Sequence, residues 1–225
     1  GACLANQNNN EAAIEVFEEI IKREPAHIDT LEALAECYTV LNDLEQAENY
    51  WQQILEVQPK NANAWAKFAH INALNGQYKQ AIAMYQKAIE LEPENSTILI
   101  DFSTMLNALD FNSEAIALCK KIIQLDKNNA EVWLKYSSIQ RSNNNNNEAL
   151  KILQQALEYV QDASIYCTLA ELFVAQQKFD KALEYFEIAY TKDPGVADYF
   201  FDTCHLPTNQ LELFHSIVHK KYDEF

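Results

Sequence analysis

Apolar residues recur along the chain at three- and four-residue steps, which predicts amphipathic helices throughout. The steps are themselves repeated. An alanine stands at Ala13, Ala47, Ala81, Ala115 and Ala149, each 34 residues after the last, and at Ala182 one residue early. Four positions further on comes a large side chain at Phe17, Trp51, Tyr85, Leu153 and Phe186, with Cys119 the small exception. Seven positions on comes Ile20, Ile54, Ala88, Ile122, Ala156 or Ala189, so all three positions share one helix face. A second helical pattern precedes each alanine. It carries Leu31, Trp65, Leu99, Trp133 and Tyr166, then Leu34, Phe68, Phe102, Tyr136 and Leu169 three residues later. The next residue is always small: Ala35, Ala69, Ser103, Ser137 and Ala170. A small residue at a fixed helical position lets a partner helix come close.

The unit is therefore helix, short turn, helix, loop. One such pair cannot bury its apolar face alone, but stacked pairs can. Pro25, Pro59 and Pro93 keep the same beat in the loops between units. The residue missing between Ala149 and Ala182 is expected in the loop Val160 to Ala163, since loops tolerate deletions best. Two asparagine runs fall at one place in the unit: Asn8–Asn10 precede Ala13 by the offsets at which Asn144–Asn146 precede Ala149, and Asn75-Gly76 stands there in another unit. Asn accepts left-handed backbone angles and caps helices, so these runs are read as ordered turns within a helix pair.

These residues resemble the tetratricopeptide repeat (TPR), whose pattern is Trp, Leu, Gly, Tyr, Ala, Phe, Ala, Pro at fixed offsets. One unit reads Trp65, Phe68, Ala69, Asn72, Ala81, Tyr85, Ala88, Pro93, and another Tyr166, Leu169, Ala170, Phe173, Ala182, Phe186, Ala189, Pro194. Two units carry Lys127 and Gln161 in place of the proline. The resemblance implies an all-α fold: a right-handed α-solenoid of antiparallel helix pairs. The units divide a single solenoid over residues 1–225 into a partial repeat 1–27, full repeats 28–61, 62–95, 96–129, 130–162 and 163–196, and capping helices over 197–225. The opening GACLANQ falls inside a unit, so the chain reads as a fragment of a longer, bacterial-type multi-TPR protein. Gly195 to Thr203 reads as a shortened first helix, and Leu211, Phe214, Val218 and Tyr222 as the apolar face of a final cap.

Composition narrows the function. There are 3 Gly in 225 residues, too few for Gly-rich phosphate loops. The net charge of −16 disfavours nucleic acid and acidic membrane surfaces, which need a basic face. Cys3, Cys37, Cys119, Cys167 and Cys204 are odd in number and scattered, as core thiols in a reducing compartment are, and a cytoplasmic location is expected. His215 and His219 are four apart on the cap, with His205 near, but no third ligand sits at firm spacing, so no metal is expected. No catalytic triad, phosphate loop or nucleophile elbow occurs, so the reading is a non-enzyme with no cofactor. The many carboxylates, such as Glu15, Glu18 and Glu19, are read as a solvated helix face.

In the TPR family the first helix of each repeat lines a concave groove that binds peptides. The family's groove offsets fall here on Asn63, Lys67, His70, Asp101, Asn107, Lys135 and Arg141, among others that include Glu32, Glu36 and Glu171. Lys67, His70, Lys135 and Arg141 form a local basic set in an acidic chain, which either receives a carboxylate or acidic side chain or is solvated and balances Asp101 and Glu131. The carboxylate clamp of chaperone-tail TPR domains is absent, because Glu32 and Glu36, Ala66 and His70, or Ile100 and Thr104 stand at its first pair of positions. The expected function is a protein–protein interaction scaffold that binds a segment of a partner protein. Two alternatives are end-to-end self-association through apolar terminal faces, and a substrate-recruiting arm of a larger multidomain protein.

Overall fold

The computed structural model describes residues 10–204 and 206–220. Cys3, Asn6 to Asn9, His205, Lys221 and Tyr222 lie outside them, as do the side chains of Val218 and His219. The described residues form thirteen helices and no strand. These are α1 (Asn10–Arg23), α2 (Ile28–Val40), α3 (Leu44–Val57), α4 (Ala62–Leu74), α5 (Tyr78–Leu91), α6 (Ser96–Ala108), α7 (Asn112–Leu125), α8 (Ala130–Ser142), α9 (Asn146–Ala156), α10 (Ala163–Ala175), α11 (Phe179–Lys192), α12 (Val196–Thr203) and α13 (Thr208–Lys220). The chain forms two compact units that divide between Asp110 and Phe111.

In the first unit, α2 pairs with α3 and α4 with α5, while α6 lies against α4 and α5. In the second, α8 pairs with α9 and α10 with α11, while α10 also touches α8 and α12 and α13 packs on α11. The 34-residue beat is the beat of these pairs. Leu31, Leu34, Trp51 and Ile54 are buried in the first unit, and Trp133, Leu153, Leu169 and Phe186 in the second. The small residues after them, Ala35, Ala69, Ser103, Ser137 and Ala170, are all buried. Ser103 and Ser137 donate their hydroxyls to the carbonyls of Ile100 and Leu134, so these polar atoms enter the core satisfied. Aromatic rings close the second unit: Phe186, Phe200 and Phe214 lie within 5.5 Å of one another, centroid to centroid.

Each helix pair turns in one way. Asn42, Gly76, Asp110, Asn144 and Gln177 all have left-handed backbone angles, with φ between 59° and 73°. At four of these five turns the amide after the left-handed residue bonds back to the carbonyl five residues earlier: Asp43 to Tyr38, Gln77 to Asn72, Asn145 to Gln140 and Lys178 to Phe173, at 2.8–2.9 Å. The left-handed residue itself bonds three residues back, as Gly76 does to Ala73 at 3.0 Å. This is a Schellman ending, which satisfies carbonyls that a helix end would otherwise leave bare. The five-asparagine run is thus an ordered turn, with Asn144 at its left-handed position.

The loops between units are fixed from both sides. First helices start on a side-chain cap: Asn61, Asn95 and Asn129 accept from the amides of Ala64, Ile98 and Val132. The ring N–H of Trp65 donates to the carbonyl of Pro59 at 3.0 Å, and that of Trp133 to Lys127 at 2.8 Å. Tyr166 reaches the Gln161 side chain in the corresponding place. Lys127 and Gln161 are the two substitutes for proline, so an indole or phenol tether holds both proline-free loops.

Three expectations are modified. The missing residue does not shorten the loop at Val160 to Ala163. Instead α9 has 11 residues where α3, α5, α7 and α11 have 14, and the chain leaves the helix after Ala156. The freed segment places Tyr159 flat on Trp133, with centroids 6.1 Å apart and Lys127 Nζ 4.8 Å from the Tyr159 ring. Glu18 is not simply solvated, because its Oε1 accepts from the Tyr38 hydroxyl at 3.1 Å. Trp65 is half-buried where Trp51 and Trp133 are buried; Trp133 makes the same bond to its loop carbonyl but is covered by the Tyr159 ring.

Candidate functional site

Within each unit first helices stand side by side, α4 with α6 in the first and α10 with α8 and α12 in the second, and a cavity opens beside them in each. In the first unit a cavity of about 310 Å3 lies between α4, α5 and α6. His70, Asp101 and Thr104 supply its polar groups, and Leu74, Tyr78 and Met105 its apolar wall. Of the residues read from the sequence, the fold brings His70 and Asp101 together here. Lys67, one turn earlier on α4, is half-buried and faces α2, where it opposes the effect of two neighbouring acids on Glu32. Burial, then Asp29 and Glu36, raise the Glu32 carboxyl above its ordinary value, and Lys67 lowers it. Asn63, exposed at the start of α4, and Asn107, half-buried near the end of α6, do not line the cavity.

In the second unit a larger cavity, about 460 Å3, lies between α8, α10 and α12. Ser138 and Arg141 come from α8, Ser164, Cys167 and Thr168 from α10, and Tyr199 from α12. Arg141 is the residue here that the sequence reading named. Lys135, half-buried two turns earlier on α8, is not among the lining residues. Arg141 Nη1 donates to Glu171 Oε2 at 3.0 Å, and Thr203 Oγ1 lies 3.4 Å from Glu171 Oε1, its nearer acceptor being the Tyr199 carbonyl at 2.9 Å. The Glu171 side chain is 6% exposed and that of Arg141 40%, so a buried acid anchors a guanidinium that reaches outward. Removing Arg141 would strand the buried Glu171 carboxylate, at a cost of about 3 kcal/mol, the low end for a buried pair because Arg141 is partly solvated.

The field of this pair reaches its neighbours. Glu171 first, and then burial, push the Tyr199 phenol above its ordinary value, against an opposite pull from Arg141. Burial and then Glu171 push the Cys167 and Cys204 thiols up to about 12, so neither is a thiolate nucleophile at neutral pH. Among the described residues, no group of three or more His, Cys, Asp or Glu could hold a metal ion. Among them, too, no helix is long and apolar enough to cross a membrane.

Sequence reasoning placed Arg141 and Glu171 in the groove but not in contact. The signal was present: they are opposite charges at groove positions of consecutive repeats, 30 residues apart. Tyr199 was missed, because the shortened last unit has no full repeat pattern from which to count.

Residues 31–157 match the family model of the middle TPR-like domain of cilia and flagella-associated protein 70. Residues 4–48 and 134–197 match a tetratricopeptide repeat model. No curated protein sequence matches the chain. Among solved structures it is similar to pilF of Pseudomonas aeruginosa, with 19% identity, a TM-score of 0.63, and coverage of 90% of this chain and 87% of that one. A tetratricopeptide repeat protein from Parabacteroides merdae shows 14% identity and a TM-score of 0.63, over 94% of this chain and 78% of that one. YrrB, described as a TPR protein with an unusual peptide-binding site, shows 21% identity and a TM-score of 0.52, over 80% of this chain and 94% of its own. At these identities the likeness is one of fold.

Proposed function

We propose that this chain, which belongs to the tetratricopeptide repeat (TPR) proteins, is a non-catalytic scaffold that holds a segment of a partner protein along the first helices of its repeats. The observation that carries this reading is the pair of open, mixed polar and apolar cavities between first helices, about 310 and 460 Å3. Each is in the size range of a side-chain or small-ligand pocket. Their polar groups are imidazole, carboxylate, guanidinium and hydroxyl side chains, which suit the hydrogen-bonding groups and side chains of a peptide. A peptide-binding site on the similar YrrB fold accords with this use of the architecture. The contacts assigned to the partner are Asn63, Lys67, His70, Asp101 and Asn107 in the first unit, and Lys135 and Arg141 in the second.

The test is capture of partners from native lysate by the chain and by a Lys67→Glu, Lys135→Glu variant, at low and moderate salt. Binding lost in the variant and weakened by salt supports the assignment. Binding retained by both removes Lys67 and Lys135 from the site. Exposed Val16 and Ile20 on α1 favour a second reading, association of copies through that helix. Sedimentation showing a monomer at high concentration would rule it out.

A further inference from the structure

We infer that the cavity between α8, α10 and α12 is a subsite for one carboxylate of the bound segment, received by Arg141; the inference rests on the scaffold reading above. Arg141 is held from behind. Its Nη1 is tied to Glu171, which is itself buried beside Thr203 of α12. That bond occupies one of five guanidinium donors. The remaining donors include an edge that matches the two oxygens of a carboxylate. Because Glu171 already restrains the side chain, little of its rotamer freedom remains to be lost on binding.

The rest of the wall fits the same ligand. Ser138, Ser164 and Tyr199, each bearing a hydroxyl, line the cavity. The Tyr199 phenol is pushed up from its ordinary value, so it stays protonated and can donate. Thr168 gives its hydrogen to the Ser164 carbonyl at 2.8 Å, so its oxygen is left to accept from a donor of the segment, such as a backbone amide, and not to hold the carboxylate. Asp193 also borders the space; its Oδ1 accepts from the Gly195 amide at 2.9 Å, and its charge, like that of Glu171, opposes a second anion, so the ligand carboxylate depends on the outward edge of Arg141. Size limits the occupant: about 460 Å3 admits one or two side chains and not a helix. Charge sharpens the selection. The net charge of −16 repels a generally acidic peptide, so a ligand carboxylate is retained by these local contacts and not by the overall field.

A carboxylate can come from an Asp or Glu side chain or from a chain terminus, and the test separates them. A random peptide library displayed with free C-termini is panned on the whole chain. Selected peptides are then synthesised in three forms: unchanged, with Asp or Glu changed to Asn or Gln, and with the C-terminus amidated. Affinities are measured for the native chain and for an Arg141→Gln, Glu171→Gln variant, which keeps a hydrogen-bonding pair and leaves no buried charge stranded. Circular dichroism checks the fold of the variant, and Tyr199→Phe serves as an independent second variant. The expected result is about a tenfold loss on the native chain when one carboxylate is removed, shrinking below about twofold on the double variant. Which modification causes the loss identifies the source. Selected peptides that bind the native chain equally well without any carboxylate overturn the subsite and leave the scaffold reading standing. A library that yields no binder overturns the scaffold reading, and the subsite with it.

Discussion

The left-handed turns permit a direct measurement of backbone strain in this fold. Gly76 has φ +73°, and a Cβ built on it meets nothing within 4 Å. Gly76→Ala therefore changes the backbone preference without creating a steric contact. Holding an L residue in this region costs about 1–2 kcal/mol. The alanine also stiffens the unfolded chain, which returns about 0.4–1 kcal/mol. The net expectation is a loss of roughly 1 kcal/mol. Gln177 poses the reverse case at the equivalent turn, with φ 59° on an exposed residue that is neither Gly, Asn nor Asp. Gln177→Gly should stabilise by roughly 1 kcal/mol, and Gln177→Asn by a few tenths, since Asn enters this region more readily. Urea unfolding followed by helix circular dichroism and by tryptophan emission reads both, because Trp51 and Trp65 report on the first unit and Trp133 on the second. The midpoint should move while the slope stays constant. A Gly76→Ala chain as stable as the parent, or a Gln177→Gly chain that is less stable, would refute the reasoning, because the Schellman ending would then carry no strain.

Other predictions follow from the core and the caps. Phe186→Ala should cost about 3–5 kcal/mol by calorimetry, because Phe186 is fully buried against Phe200 and Phe214. Asn61→Ala and Asn129→Ala should each cost about 1 kcal/mol, and the two effects should add, since the caps are far apart in sequence and share no partner. Cys167 and Cys204 have thiols raised in the folded state from 9.0 to about 12. A raised folded value means their contribution is complete below the unfolded value and is lost as pH climbs through the folded one. Stability measured by urea titration should accordingly fall between about pH 9 and 12, and a Cys167→Ala, Cys204→Ala variant should show a shallower fall. At neutral pH, Cys37, Cys119 and Cys167 should react with a thiol reagent only at the rate of unfolding, since all three are buried.

The period made much of this fold legible before any coordinates. Position Ala13 and its successors, the large residue four on, and the small residue in the first helix are each fixed by a packing need that recurs in every pair, so counting finds them. The turns were legible for the same reason: a left-handed position must recur, and Asn144 stands where Gly76 does. The shortening of α9 was not legible. A missing residue can be absorbed by loop or helix, and the choice went to the stacking of Tyr159 on Trp133, a contact between distant parts of the sequence. The Arg141–Glu171 bond was half-legible. Position counting puts both in the groove, but burial of Glu171 depends on α12, which lies beyond the last full repeat.

The turn at Gly76 has a chemical consequence. An Asn-Gly pair is the peptide bond most prone to age: the glycine nitrogen attacks the asparagine side-chain carbonyl carbon, ammonia leaves, and water opens the resulting ring to aspartate or isoaspartate. That attack needs a free nitrogen and a mobile backbone. Here the Gly76 N–H is bonded to the Ala73 carbonyl at 3.0 Å, and the amide after it is bonded to Asn72 at 2.8 Å. Asn75 is thus shielded from its own chemistry for as long as the helix end stays closed. Isoaspartate accumulating at residue 75 would act as a slow clock, counting the openings of a single turn over the lifetime of the molecule.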